Sequence, residues 1–240
     1  MNLTASVALV TGANRGIDRA LVAKLLAAGA AKVYAAARDE KSLAEVVALD
    51  PARVVPVVLD VTDRAQIARL PELTPDVRLL INNAGVLDFG SALEIPVEAV
   101  DRNLAVNFYG PLLTTRALAP VLERNGGGAV VNMLTVVALA SMPGLAGYNA
   151  SKAASWSLTQ SLRATLAPRG IAVHAVFPGP VDTEMAAAIP LDKTSPDVVA
   201  QAILDGVAAA QEDIFPDPMS ASVYEAWRQD HKAVERQFAA

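Results

Sequence analysis

The chain has 240 residues, 53% of them hydrophobic and 19% charged, a composition that buries a large core and is far from that of a disordered chain. With 20 Lys and Arg against 25 Asp and Glu the net charge is -5, so the basic footprint that neutralises a phosphate backbone is missing and nucleic acid is not an expected partner. The absence of cysteine excludes a disulfide framework, a thiolate metal site and a cysteine nucleophile; two histidines, His174 and His231, are too few for an expected metal centre.

The first ten residues carry no basic stretch ahead of their apolar run, which leads straight into a turn, and are not expected to act as a secretory leader. The most apolar window, 129–147, is interrupted by Asn132, Thr135, Ser141 and Pro143, so no membrane span is expected and the setting is read as cytoplasmic. No linker divides the chain, and residues 1–240 are read as one domain.

Strands are expected at 7–10, 32–36, 54–59, 79–81, 129–133, 172–177 and, weakly, 214–215. Between them Ala/Leu-rich stretches at 19–28, 42–49, 64–70, 97–123, 148–167 and 197–211 have helical spacing. That alternation predicts an α/β fold, a doubly wound parallel sheet of about seven strands flanked by helices. Gly29 and Gly170 mark helix ends, and Ser195-Pro196-Asp197 marks a helix start. Val223, Trp227, Val234 and Phe238 predict an amphipathic helix over 219–238, docked on the body or on a partner subunit.

Ligands of such sheets bind at the carboxyl ends of the strands. The run Thr11-Gly12-Ala13-Asn14-Arg15-Gly16-Ile17-Asp18 follows the first strand; its glycines permit a tight turn and let backbone N–H groups approach a pyrophosphate at a helix N-terminus. At the second exit, where an NAD site would place an acid for the ribose hydroxyl, stands Arg38. A cation there suits a 2'-phosphate, with Arg15 as a second positive charge, so NADP(H) is the expected cofactor. Tyr148 and Lys152 lie four apart on one helix face, where the ammonium is expected to lower the phenol's pKa. Thr135, at the fifth exit, aims a hydroxyl toward the same point.

These residues, with Asp60, Asn82-Asn83-Ala84-Gly85, Asn107, the Tyr148-Asn149-Ala150-Ser151-Lys152 run and Pro178-Gly179, resemble the classical short-chain dehydrogenase/reductase family over nearly the whole chain. The resemblance implies a Rossmann-type fold and a catalytic tetrad at Asn107, Thr135, Tyr148 and Lys152. Tyr148 would exchange a proton with the substrate oxygen, Lys152 would hold the nicotinamide ribose, Thr135 would polarise the carbonyl, and Asn107 would hold a water linking Lys152 to solvent. It further implies cofactor contacts at Gly12, Asn14, Arg15, Gly16, Ile17 and Arg38, at Asp60 and Val61 for the adenine, at Asn82, Asn83, Ala84 and Gly85 for the middle of the cofactor, and at Pro178, Gly179, Val181 and Thr183 for the nicotinamide end.

Three departures from the family stand out. Asp18 replaces the third glycine of the loop and is expected to weaken rather than abolish cofactor binding, since the helix dipole favours an acid there and Arg15 or Arg19 is available to pair with it; Thr135 replaces the usual serine; and the last strand, short and blocked by Pro216 and Pro218, puts assembly through that edge in doubt. A homodimer or homotetramer paired through the long fourth and fifth helices is expected. The segments 136–147 and 182–194 frame the acceptor side, with 180–196 as a short substrate loop. Val137, Leu139, Met142, Leu145, Met185 and Ile189 are available there to line a pocket for a small hydrophobic ketone, aldehyde or alcohol. The expected reaction is NADPH-dependent carbonyl reduction. Its rivals are a non-catalytic NADP(H)-binding sensor or scaffold, favoured by Asp18, and an NAD-dependent alcohol dehydrogenase, disfavoured by Arg38.

Overall fold

The structure, a computed structural model, describes residues 1–239. Seven parallel strands form one sheet in the order β3-β2-β1-β4-β5-β6-β7. They are β1 Val7–Thr11, β2 Lys32–Ala37, β3 Val54–Val58, β4 Leu79–Asn82, β5 Gly128–Met133, β6 Ile171–Val176 and β7 Asp213–Ile214. The chain winds outward in both directions from the β1/β4 seam, which places a crevice at the carboxyl ends of those two strands.

Alternation along the strands sends successive side chains to opposite faces. Ala8, Val10, Leu79, Ile81 and Val131 pack toward α1 (Gly16–Ala27) and α8 (Pro196–Ala208), while Leu9, Tyr34, Leu80 and Val130 face α6 (Gly110–Arg124) and α7 (Ala146–Leu166). Both faces are covered, which is why the strands read as nearly continuous apolar runs. Pro56 is tolerated in β3 because that strand lies at the edge. The other edge, β7, is two residues long and lies one residue earlier than the expected 214–215, with Pro216 and Pro218 following it as its sequence predicts.

The connections depart from expectation in four places. The segment expected as one helix at 42–49 is a 3-10 turn, Glu40–Leu43, followed by α2, Ala44–Val47. The segment at 64–70 is α3, Arg64–Ala68, followed by α4, Leu70–Leu73, whose first turn holds Pro71. The long fourth helix is α5, Val97–Leu104, then a π turn, Ala105–Tyr109, then α6. Pro111 has no N–H to return to the Asn107 carbonyl at helical spacing, and the Ser155 hydroxyl donates to that carbonyl instead. The tail is two helices, α9 (Pro218–Gln229) and α10 (His231–Ala239), hinged at Asp230, whose carboxylate accepts from the N–H groups of Lys232 and Ala233.

Val223, Trp227, Val234 and Phe238 nevertheless share one apolar cluster, packed with Val137, Leu145 and Tyr148 of the same chain. An aromatic series, Trp156 with Phe177 and Trp227, then Phe215 with Tyr224, ties α9 to α7 and to the end of β6.

Candidate active site

One cleft of about 900 Å³ runs along the carboxyl ends of the strands, within the size range of small-molecule and cofactor sites. At one end the β1-α1 turn holds Gly12 at φ +79 and Gly16 at φ +60, conformations that glycine adopts without strain. A Cβ on Gly12 would stand 3.0 Å from the Ala84 Cα, so the bare backbone is what lets the exits of β1 and β4 meet. Thr11 fastens them: its hydroxyl accepts from the N–H groups of Asn83 and Ala84 at 3.1 Å each and lies 3.4 Å from the Ile81 carbonyl, to which it donates. No side chain caps the first turn of α1, leaving its N–H groups directed at the cleft. The donor set therefore fits a dinucleotide phosphate.

Gly12, Asn14, Arg15, Gly16, Ile17, Arg38, Asp60, Val61, Asn83, Ala84, Gly85, Pro178, Gly179, Val181 and Thr183 all line this cleft. Asn82 does not. Its side chain is buried behind the wall, donating to Thr115 and Asn132 and accepting from Thr114, because alternation turns it away from the exit. Asp60 closes its own turn by accepting from the N–H and hydroxyl of Thr62. Arg15 is ion-paired with Glu184 across the cleft mouth, whereas Arg38 is exposed and makes no ion pair among the described residues.

The opposite wall carries Thr135, Tyr148 and Lys152, each at most 9% exposed. The Lys152 Nζ donates to the Met133 carbonyl at 2.7 Å and lies 5.8 Å from the centre of the Tyr148 ring. Burial pushes the Tyr148 phenol up to about 12 and the Lys152 ammonium down to about 8. The phenol is thus raised by desolvation, and the expected depression by the ammonium is not seen. Gly85 approaches Asn107 and Lys152 closely: a Cβ there would be 3.3 Å from the Asn107 Oδ1 and 3.8 Å from the Lys152 Nζ.

Asn107 is fully buried, and both of its amide hydrogens are committed, to the Val86 carbonyl and the Ser151 hydroxyl, while its Oδ1 accepts from the Val86 N–H. It has no hydrogen left for a water, which leaves only the second lone pairs of its two oxygens for that role.

Asp18 is 7% exposed in the first turn of α1, with Oδ1 buried and without a partner. Neither expected arginine pairs with it: Arg15 holds Glu184, and Arg19 faces Glu45 at 3.9 Å.

On the acceptor side Val137, Met142, Leu145, Met185 and Ile189 line the cleft, whereas Leu139 packs behind it against Phe177 and Trp156. The Asn149 side chain donates to the Met142 carbonyl at 2.8 Å and fixes that wall. Met219 of α9 and Phe238 of α10 also line the cleft. Sequence reasoning found the apolar stripe that contains Phe238 but not the surface it covers.

A sequence profile described as short chain dehydrogenase matches residues 6–194. The chain belongs to the short chain dehydrogenase family. As a member of it, the protein is an oxidoreductase acting on CH–OH and carbonyl groups. Dehydrogenase/reductase SDR family member 4 of Homo sapiens is 34% identical over 199 residues, 80% of this chain and 71% of that protein. A short chain dehydrogenase from Burkholderia cenocepacia in complex with NADP matches with a TM-score of 0.94 and 36% identity over 100% of both chains. A short chain dehydrogenase/reductase from Burkholderia phymatum in complex with NAD matches with a TM-score of 0.88 and 27% identity, covering 99% of this chain and 96% of that one. Among the described residues no helix is long and apolar enough to cross a membrane.

Proposed function

We propose that this short chain dehydrogenase is an NADPH-dependent reductase of small hydrophobic ketones or aldehydes. The observation that carries the reading is the burial of a phenol, an ammonium and a hydroxyl along the wall of a cleft whose other end is an uncapped helix N-terminus between two glycines of positive φ. Arg38 supports the phosphorylated cofactor: it stands unpaired at the exit of β2, where a ribose-binding acid is absent. Because solved relatives include both an NADP and an NAD complex, Arg38 rather than the neighbours carries that preference.

The nicotinamide, when bound, supplies the hydride. The protein's own residues handle the proton and the charge. A phenol held at about 12 keeps its proton at neutral pH and delivers it to the oxygen of the reduced carbonyl. Lys152, fixed by the Met133 carbonyl, is the cation nearest the phenolate left behind and the group from which its proton is restored. Thr135 donates to the substrate oxygen as negative charge builds on it, while its Oγ1 accepts from the Val137 N–H. Val137, Met142, Leu145 and Met185 exclude water from the acceptor side and set its apolar preference, with 180–196 as the substrate loop of a single catalytic domain.

A cytoplasmic setting and a homodimer or homotetramer belong to the same reading. The cysteine-free composition supports the first, and the exposed Val97 and Tyr109 on the helical segment 97–109 support the second. The testing experiment follows NADPH consumption over a panel of hydrophobic ketones and aldehydes, beside NADH and with Tyr148→Phe as control. Turnover with NADPH that the Phe variant loses is expected. Turnover unaffected by Tyr148→Phe would overturn the assignment, and NADH preference would overturn the choice of cofactor.

A further inference from the structure

Asp18 stands where the phosphate cradle calls for the least negative charge. It belongs to the first turn of α1, the turn whose N–H groups face the cleft without a side-chain cap, and it lines the cleft with Gly16, Asn83 and Lys152. Its side chain is more than nine-tenths buried, and Oδ1 has no hydrogen-bond partner among the described residues. A buried carboxylate in that condition is costly, and beside a bound anion it would also be repulsive. A carboxylic acid at the same place has the opposite character: it is neutral and carries an O–H to donate.

The surrounding charges do not hold the group ionised. Lys152 on α7 and Arg15 on the glycine loop pull toward the carboxylate, as do the Asn83 side chain and Asp18's own backbone N–H, yet burial outweighs all four and raises the carboxyl well above its ordinary value. Arg15 is itself neutralised by Glu184 from the loop after β6. Of the other charged groups around the cleft, Arg19 of α1 faces Glu45, Arg102 of α5 pairs with Asp88, Arg38 and Asp39 follow β2 together, and Asp60 after β3, Asp182 after β6 and Asp197 at the start of α8 add negative charge.

We infer that Asp18 enters the dinucleotide complex as a neutral acid and donates its O–H to an acceptor oxygen of the dinucleotide, so that cofactor binding is coupled to proton uptake by this side chain. The inference rests on the cofactor reading of the cleft given above. The proton comes from solvent and no other bond changes. Because the bound anion favours the protonated form, the carboxyl's midpoint is higher in the complex than in the free protein. Affinity is therefore greatest below the free-protein midpoint, falls by up to about tenfold per pH unit between the two midpoints, and levels off above the upper one.

Isothermal titration of NADPH into the wild type, Asp18→Asn and Asp18→Gly, from pH 6 to pH 9 and in two buffers of different ionisation heat, tests this. Lys152 titrates in all three proteins and its ammonium feels the Asp18 charge, so the comparison is repeated in a Lys152→Arg background, where the neighbouring cation does not titrate in this range. The wild type is expected to lose affinity with rising pH more steeply than either variant and to take up more protons per NADPH bound. Asp18→Asn, which keeps a donor but cannot ionise, is expected to bind NADPH more tightly than the wild type at the alkaline end. Equal slopes and equal proton uptake in all three proteins would overturn the inference while leaving the cofactor reading standing. Absence of NADPH binding by wild type and variants at every pH would overturn both. Should Asp18→Asn fail to fold, the comparison with Asp18→Gly decides alone.

Discussion

The guanidinium of Arg15, in the glycine loop, and the carboxylate of Glu184, 169 residues later in the loop after β6, close an ion pair over the mouth of the cleft. Both side chains are largely exposed, so the pair contributes little to stability, and in the proposed NADPH reading it competes with a 2'-phosphate for Arg15. Glu184→Gln is expected to leave the melting temperature nearly unchanged and to raise the NADPH over NADH affinity ratio several-fold, measured by titration of each nucleotide.

In the NADPH reading proposed above, Arg38 at the exit of β2 is the exposed cation placed to meet a 2'-phosphate. Arg38→Ala is expected to weaken NADPH binding by about 1.5–3 kcal/mol, the cost of losing a hydrogen bond to a charged group, and to leave NADH binding within a factor of about two. Equal losses for both nucleotides would place Arg38 outside the discrimination.

Gly12 joins the β1 and β4 exits through a backbone that has no room for a side chain. Gly12→Ala combines a positive φ with a Cβ 3.0 Å from the Ala84 Cα, and is expected to destabilise the fold by about 1–3 kcal/mol and to abolish nucleotide binding. Thermal unfolding and titration read the two effects separately.

In the proposed mechanism Lys152 sets a pH limit: proton restoration draws on its ammonium, which burial brings to about 8, while Tyr148 at about 12 stays protonated throughout the working range. In the Asp18→Asn background, which removes the carboxylate whose charge raises the Lys152 ammonium, kcat/KM for NADPH in the reductive direction is expected to fall with rising pH about a midpoint no higher than about 8. A level profile to pH 9 would remove Lys152 from the proton path.

Asp18 also couples pH to stability. Its folded-state carboxyl lies above the unfolded value, so the folded chain holds the extra proton between the two, and stability present at acid pH is lost as the pH rises through the folded midpoint. Asp18→Asn is expected to be more stable than the wild type at pH 8, by about 1–3 kcal/mol, the cost of an unsatisfied buried group, and to show a smaller advantage at pH 5. Denaturant unfolding at the two pH values measures the difference.

Much of this was legible in the sequence because strands and exits are local signals. Seven apolar runs predict seven strands, and residues at the exits of the first six, from Gly12 to Thr183, line the cleft. Asn82 and Leu139 were misplaced by one facing each: sequence adjacency to an exit does not tell which side of the wall a side chain takes. The π turn at Asn107 had a readable cause in Pro111, but its repair by Ser155 depends on the packing of α7 against α5, which periodicity does not encode. The break at Asp230 was hidden because two short amphipathic helices can feed one apolar patch with the same residues as a single long one. The pKa values of Tyr148 and Lys152 depend on how completely the cleft wall excludes water, a property of the assembled fold alone.

The aromatic series that ties α9 to the sheet contains both tryptophans of the chain. Trp156 lies on α7 and Trp227 on α9, with ring centres 5.8 Å apart, so intrinsic fluorescence is a private report on whether the tail is seated. Emission and far-ultraviolet circular dichroism therefore watch different parts of the molecule: the first follows the closing of the apolar end of the cleft, the second the helices and the sheet. A melting curve that shifts in emission before ellipticity would mean that the tail lifts from an otherwise intact domain, and that substrate access has a thermal threshold of its own.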